Sequence, residues 1–245
     1  MIRGVTDPLL EQPRAFAAKV ARVLGGTPVA HDRLTGALSS GFDAFLNQLF
    51  AEGWVAPREA VDALAGRPGF VWLAEEPAPE GLGVPGTERL TSVTVYGMTA
   101  DTSGPSVDAE SLRVRSHADL DAWHEIYCEV FGVDTRGRDD WHELHDALGP
   151  TGDDSLLLLL ARVDGAAAAT GGLYVEGESA GLYCFTTREP MRARGLGSAL
   201  VQAAHEAART RGIERAVLQA TAAGRPMYAR LGYEEVRPLP MLVAR

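Results

Sequence analysis

The stretch that most constrains the fold is FTTREPMRARGLGSAL, residues 185–200. A strand-forming run ends in two threonines, and a polar segment with Arg188, Arg192 and Arg194 follows. Two glycines one residue apart then open onto a run of helix formers. A strand that turns through glycine into a helix is the βα junction of an α/β fold. The start of such a helix leaves backbone N–H groups without partners and carries a partial positive charge. Gly195 and Gly197 remove the side chains that would keep an anion off those amides. Ser198 adds a hydroxyl, and Arg192 and Arg194 add forked donors suited to phosphate oxygens.

Patterning on either side gives this junction a context. Residues 112–116 read as a strand. Residues 117–131 read as an amphipathic helix with Leu120, Trp123, Tyr127 and Phe131 on one side, and a second short helix is expected around 139–148. Two strands, LLLLLARVDG and AAAATGGLYVEG, meet at Asp164–Gly165, a strong hairpin signal. A third strand, 180–187, feeds the glycine turn and a helix at about 197–211. A strand at 215–221, a short helix at 224–231 and a final strand, EVRPLPMLV, complete the order β-α-α-β-β-β-α-β-α-β.

The first half is less regular. Residues 8–24 and 57–66 read as helices, 70–76 and 90–100 as strands around a Pro/Gly-rich loop, and 34–50 as ambiguous between strand and helix. DTSGPSVDAES, residues 101–111, has no apolar period and reads as a linker near the midpoint. With 245 residues the chain has room for two modest domains, expected at 1–104 and 112–245 with a 105–111 linker.

Composition narrows the partners. Net charge is −10, which repels nucleic acid; the near-absence of lysine beside abundant arginine and alanine reads as coding bias. Residues 119–154 hold eleven acidic side chains against Arg136 and Arg138. The longest aliphatic run, 156–161, is far short of the roughly 20 residues that span a bilayer. The first residues lack a secretory h-region, and Cys128 and Cys184 have neither disulfide-framework nor metal-ligand spacing. A soluble, reduced, cytoplasmic protein is expected, with no membrane and no nucleic-acid partner. A homodimer is an assembly the sequence leaves open.

The segment GLGSAL begins like a dinucleotide-binding G-x-G-x-x-G, but position 200 is leucine. It also lies behind three antiparallel-looking strands rather than at a first βα turn. Arg192-Ala-Arg-Gly195-Leu-Gly197 instead matches the R/Q-x-x-G-x-G/A signature of the GNAT superfamily of N-acetyltransferases. Downstream, GRPMYARLGYEEV (224–236) resembles that family's second marker, a tyrosine four residues ahead of Gly-Phe/Tyr. The resemblance covers roughly residues 110–245. It departs at Ala222, where the family often has an asparagine. SSGFDAFLNQLF, FVWLAEEP and VYGMTAD resemble, more faintly, strands of the degenerate first half of tandem GNAT proteins, with no R-x-x-G-x-G in residues 1–110.

The resemblance implies an α/β (α+β) fold with a mixed, mostly antiparallel sheet flanked by helices, plus a second, degenerate GNAT-like N-terminal domain. It implies acetyl-CoA as the cofactor and an amine of a small molecule or peptide as the acceptor, attacking directly in a ternary complex. Arg192, Ala193, Arg194, Gly195, Leu196, Gly197, Ser198 and Ala199 would hold the pyrophosphate. Backbone groups of Phe185, Thr186 and Thr187 would face the thioester carbonyl, and Tyr228 would contact the cofactor and protonate the thiolate. Tyr127, Phe131 and Trp141 are the expected acceptor contacts, since aromatics among carboxylates suit an amine. The general base stays open between Glu129, Glu178, Glu189 and a water chain. His142 and His145 stand three apart on a helix, too weak a pattern for metal, and none is expected. The alternative is a non-catalytic acyl-CoA-binding or regulatory protein on the same fold.

Overall fold

A computed structural model describes residues 8–31, 33–41, 43–74, 87–149 and 152–244. The Pro/Gly-rich loop expected between the strands at 70–76 and 90–100 falls mostly outside these residues.

The second half follows the pattern of its residues closely. Helix α3 (His117–Phe131) starts at Ser116, whose side chain accepts from the Asp119 N–H, and stops at Gly132 in the left-handed region. Helix α4 spans Arg138–Leu148. Strands β6 (Leu156–Val163) and β7 (Ala166–Glu176) are joined through Asp164 and Gly165, both at positive φ as a two-residue hairpin requires. Then come β8 (Ser179–Thr187), α5 (Leu196–Arg209), β9 (Arg215–Ala220), α6 (Arg225–Arg230) and β10 (Glu234–Ala244). Residues 112–116 are not a strand. Glu110–Leu112 is a 3-10 turn, only Arg113 bridges to Leu159, and the Val114 N–H donates to the Leu158 carbonyl at 2.9 Å. Glu110 draws in the side chains of Arg113 and Arg115, and Ser116 is committed to capping α3, so no residues remain for a ladder.

The first half contains α1 (Pro8–Val23), β1 (Thr27–His31), β2 (Leu34–Leu38), β3 (Gln48–Ala51), α2 (Pro57–Ala63), β4 (Gly69–Trp72) and β5 (Leu90–Asp101). The ambiguous segment 34–50 is two strands separated by a 3-10 turn at Ala44–Leu46. Asp43 accepts from the Phe45 N–H there, which breaks the extended run.

Among the described residues ten strands form one sheet, in the order β1-β2-β3-β4-β10-β5-β9-β8-β7-β6. Of these strand pairs β3–β4 and β8–β9 are parallel and the others run antiparallel. The order reads alike from both edges: two antiparallel pairs, then a parallel pair bridged by a helix (α2 or α5), then a closing strand. That closing strand comes from the other half of the chain, β10 beside β4 and β5 beside β9.

Both faces are covered, which explains the uninterrupted LLLLLA run on an edge strand. Leu157, Leu159 and Ala161 pack with α5, while Leu156, Leu158 and Leu160 pack with α1, α3 and α4 on the opposite face. No helix among the described residues is long and apolar enough to cross a membrane.

The α3–α4 layer hides two histidines. His124 is 2% exposed, with its ring beside the Cys128 thiol at 3.5–3.6 Å; burial, aided by the fields of Arg138 and His142, pushes its pKa down to about 4. His145 is also buried and held below its usual value, chiefly by desolvation. The unfolded chain takes up these protons near pH 6.5 and the folded chain only at lower pH. Stability is therefore complete above about pH 6.5 and falls as pH drops towards 4. His124 alone is expected to cost about 2–3 kcal/mol between pH 7.5 and 4.5. Urea midpoints at the two pH values should show the fall, with a shallower one in His124→Gln; equal slopes would mean that His124 titrates freely.

Candidate active site

The site is built where β8 leaves its neighbour. Parallel pairing of β8 with β9 runs from Ser179↔Arg215 to Leu182↔Leu218 and goes no further. β9 stays with β5 to Ala220, so Tyr183–Thr187 diverges and its backbone on that side is left without a ladder partner. On the other side β8 bulges: Gly172 faces Tyr183 and Thr170 faces Thr186, which leaves Cys184 and Phe185 opposite Gly171. Cys184 takes φ +57°, and its carbonyl accepts from the Thr170 hydroxyl at 3.0 Å. The Trp123 indole donates to the Gly171 carbonyl at 3.0 Å, so α3 braces the bulge from behind.

Gly171 leaves room for the Phe185 ring at this point, because a Cβ there would lie 2.7 Å from it. Gly171→Ala is expected to push Phe185 aside and lower stability by about 1–3 kcal/mol. Thermal melting would detect it, and a melting point equal to that of the parent would mean the bulge has slack.

Beyond β8 the chain forms a 3-10 turn at Glu189–Met191, passes through Ala193 (φ +61°) and Gly195 (φ +80°), and enters α5. Gly195 is the N-cap and has no side chain to cap with, so no side-chain hydrogen bond closes the helix start. The first N–H of this turn to bond within the helix is that of Ala199, to the Gly195 carbonyl at 3.0 Å. The N–H groups of Leu196, Gly197 and Ser198 precede it and have no acceptor among the described residues. Arg192, Ala193, Arg194, Gly195 and Ala199 are exposed. Arg192 is steered by its own strand, its Nε donating to the Thr187 carbonyl at 3.3 Å. The predicted loop residues and the strand end Phe185–Thr187 are therefore contiguous, and a positive helix terminus opens onto solvent beside them.

Tyr228 sits on α6, 8% exposed, with its ring edge-on to Tyr233 at 5.5 Å. Its hydroxyl forms no hydrogen bond among the described residues, whereas that of Tyr233 pairs with His205 Nε2 at 2.7 Å. Burial holds the Tyr228 phenol well above its usual pKa, with a smaller electrostatic contribution from Cys184 on the bulge. The phenol is thus protonated at neutral pH and lies close to the diverging end of β8.

The three expected acceptor aromatics separate. Phe131 is 42% exposed at the end of α3 and is presented to solvent. Tyr127 and Trp141 are core groups, 4% and 1% exposed, and their polar atoms are bound to Asp43. The helical stripe that carries Tyr127 faces the sheet, and Trp141 on α4 turns towards it, so neither offers a face to an acceptor. Among the candidate bases, Glu129 is paired with Arg188 at 3.0 Å, as is Glu125 at 2.7 Å. Glu178 lies in the β7–β8 turn, the whole length of β8, roughly 25 Å, from Thr187. Glu189 lies on the 3-10 turn. His142 Nε2 meets Asp121 at 3.0 Å. The sequence reading missed Asp43 and the bulge at Cys184. An isolated Asp in an ambiguous segment carries no local sign of burial, and a bulge has no fixed motif.

Residues 120–233 match the acetyltransferase (GNAT) family. Over that stretch, somewhat less than half of the chain, the protein is similar to a GNAT acetyltransferase domain. The whole chain also shares its fold with solved structures. A GCN5-related N-acetyltransferase from Kribbella flavida is 21% identical, with a TM-score of 0.60 over 96% of this chain and 95% of that one. A GNAT-family protein from Novosphingobium aromaticivorans is 19% identical, TM-score 0.63, over 98% and 99%. A conserved protein of unknown function from Staphylococcus epidermidis is 12% identical, TM-score 0.63, over 90% and 94%. At these identities the likeness is one of fold. No curated protein matches the sequence.

Proposed function

We propose that the protein is an acetyl-CoA-dependent N-acetyltransferase acting on an amine of a small molecule or peptide by direct attack in a ternary complex. The observation that carries this reading is the uncapped, glycine-opened start of α5 directly beyond the unpaired end of β8. A diphosphate fits that turn because Gly195 has open space where a side chain would stand and the neighbouring N–H groups lack acceptors. Acetyl-CoA supplies the activated acyl group as a thioester. Residues Arg192–Ala199 hold its diphosphate by backbone amides and guanidinium groups. N–H groups on the side of Phe185–Thr187 that has lost β9 point the thioester carbonyl and stabilise charge developing on its oxygen. Tyr228 donates its proton to the leaving sulfur, a role that its protonated state at neutral pH and its unengaged hydroxyl support.

We further propose that residues 1–104 are a degenerate GNAT-like half without its own cofactor loop, 105–111 a linker and 112–245 the catalytic domain. The edge-to-edge repeat of strand order supports this, and α2, the counterpart of α5, is a seven-residue helix opened by Pro57 rather than by a glycine turn. The test of the activity is thiol release from acetyl-CoA across a panel of primary amines. Tight coenzyme A binding without release for any amine would favour a non-catalytic acyl-CoA-binding protein instead.

A further inference from the structure

A segment from the other half of the chain packs behind the end of β8. Residues 39–47 connect β2 to β3, and Asp43 within them is 2% exposed. Its Oδ1 accepts from the Tyr127 hydroxyl at 3.0 Å and from the Phe45 N–H at 2.9 Å; its Oδ2 accepts from Trp141 Nε1 at 3.0 Å. The indole and the amide can only donate, so each carboxylate oxygen meets a group with no lone pair to offer. Burial raises the pKa of Asp43, and these three donors oppose it.

The segment is tied down from within. Asn47, fully buried, accepts from the Ser39 N–H at 2.7 Å and donates to the carbonyls of Gly41 at 3.2 Å and Pro68 at 3.0 Å. The Phe45 ring lies 5.5 Å from Tyr183 and 6.1 Å from Trp141. These contacts end at the bulge of β8, since Tyr183 and Cys184 directly precede Phe185–Thr187. Tyr127 also stacks on Trp123, the brace of Gly171, at 5.4 Å, and meets the exposed Phe131 at 5.2 Å.

We propose that Asp43 is a positioning residue for the acceptor: from the N-terminal half it fixes α3 and α4 against the end of β8, so that the space between Phe131 and the bulge is shaped by both halves. The proposal rests on the N-acetyltransferase reading. Asp43 does not touch the reacting atoms, because protein donors occupy both of its oxygens.

Full-length wild type, Asp43→Asn and Asp43→Asn/Trp141→Phe would be compared with acetyl-CoA and the best acceptor from the amine panel. Asp43→Asn keeps the shape but turns an NH2 group towards the Trp141 indole N–H. The expected result is a KM for the amine raised about tenfold or more, with the Kd of acetyl-CoA, measured by calorimetry, within about twofold of wild type. Removing the opposing donor in the double variant is expected to recover a large part of that loss. If Asp43→Asn does not fold, Tyr127→Phe carries the test, with a rise of about threefold in amine KM alone. An unchanged amine KM, or equal losses for both substrates, would overturn the positioning role. Wild type that releases no thiol with any amine would instead remove the transferase reading, and this proposal with it.

Discussion

Gly195→Asp is expected to weaken acetyl-CoA binding by roughly 100-fold or more, while Gly195→Asn weakens it only a few-fold. Both replacements occupy the same left-handed backbone position, φ +80° and ψ −1°. Asn and Asp adopt that conformation more readily than other residues with side chains, so strain is common to the pair. Open space surrounds the built Cβ, so no clash distinguishes them either. What differs is one negative charge about 4 Å from a diphosphate. At an effective dielectric constant near 20 that repulsion is about 4 kcal/mol, and solvent at this exposed turn reduces it towards the 2.8 kcal/mol that corresponds to 100-fold. Calorimetric titration with acetyl-CoA at fixed ionic strength measures the difference. Equal affinities for the two variants would mean that the diphosphate does not approach the start of α5.

Tyr228→Phe is expected to lower kcat by about 10²–10³ and to leave the Kd of acetyl-CoA and the melting temperature nearly unchanged. Removal of a buried hydroxyl normally costs stability through the partner it leaves unpaired. Here no such partner exists among the described residues, and the ring keeps its packing against Tyr233. The loss therefore falls on the leaving thiolate. Because the phenol is held above its usual pKa by burial, the wild-type rate should show no alkaline fall from this group up to about pH 10. Pre-steady-state thiol release separates this step from product dissociation. A variant that releases thiol at the wild-type rate would transfer the acid role to solvent.

Legibility in the sequence followed the range of the interactions. The span of α3 from Ser116 to Gly132, the Asp164–Gly165 hairpin and the turn into α5 were readable because each is fixed within a few residues by a cap or a positive φ. Residues 112–116 misled because two arginines and a valine look extended, while the competing claims of Glu110 and Ser116 are visible only in three dimensions. Tyr127 and Trp141 were recognised as important aromatics but given the wrong surroundings. A helical stripe says which residues share a face, not whether that face meets a ligand or the rest of the protein.

By itself the sequence determined the local geometry of the glycine turn into α5, since glycine where φ is positive and bare amides at a helix start follow from residue type alone. Only the tertiary structure decided that β10 and β5 are exchanged between the halves, that β8 bulges at Cys184, and that Asp43 is buried against α3 and α4. The physical reason is that strand partnership and burial depend on groups far apart in the chain. Asp43 and Trp141 are 98 residues apart, and no local pattern links their 3.0 Å hydrogen bond.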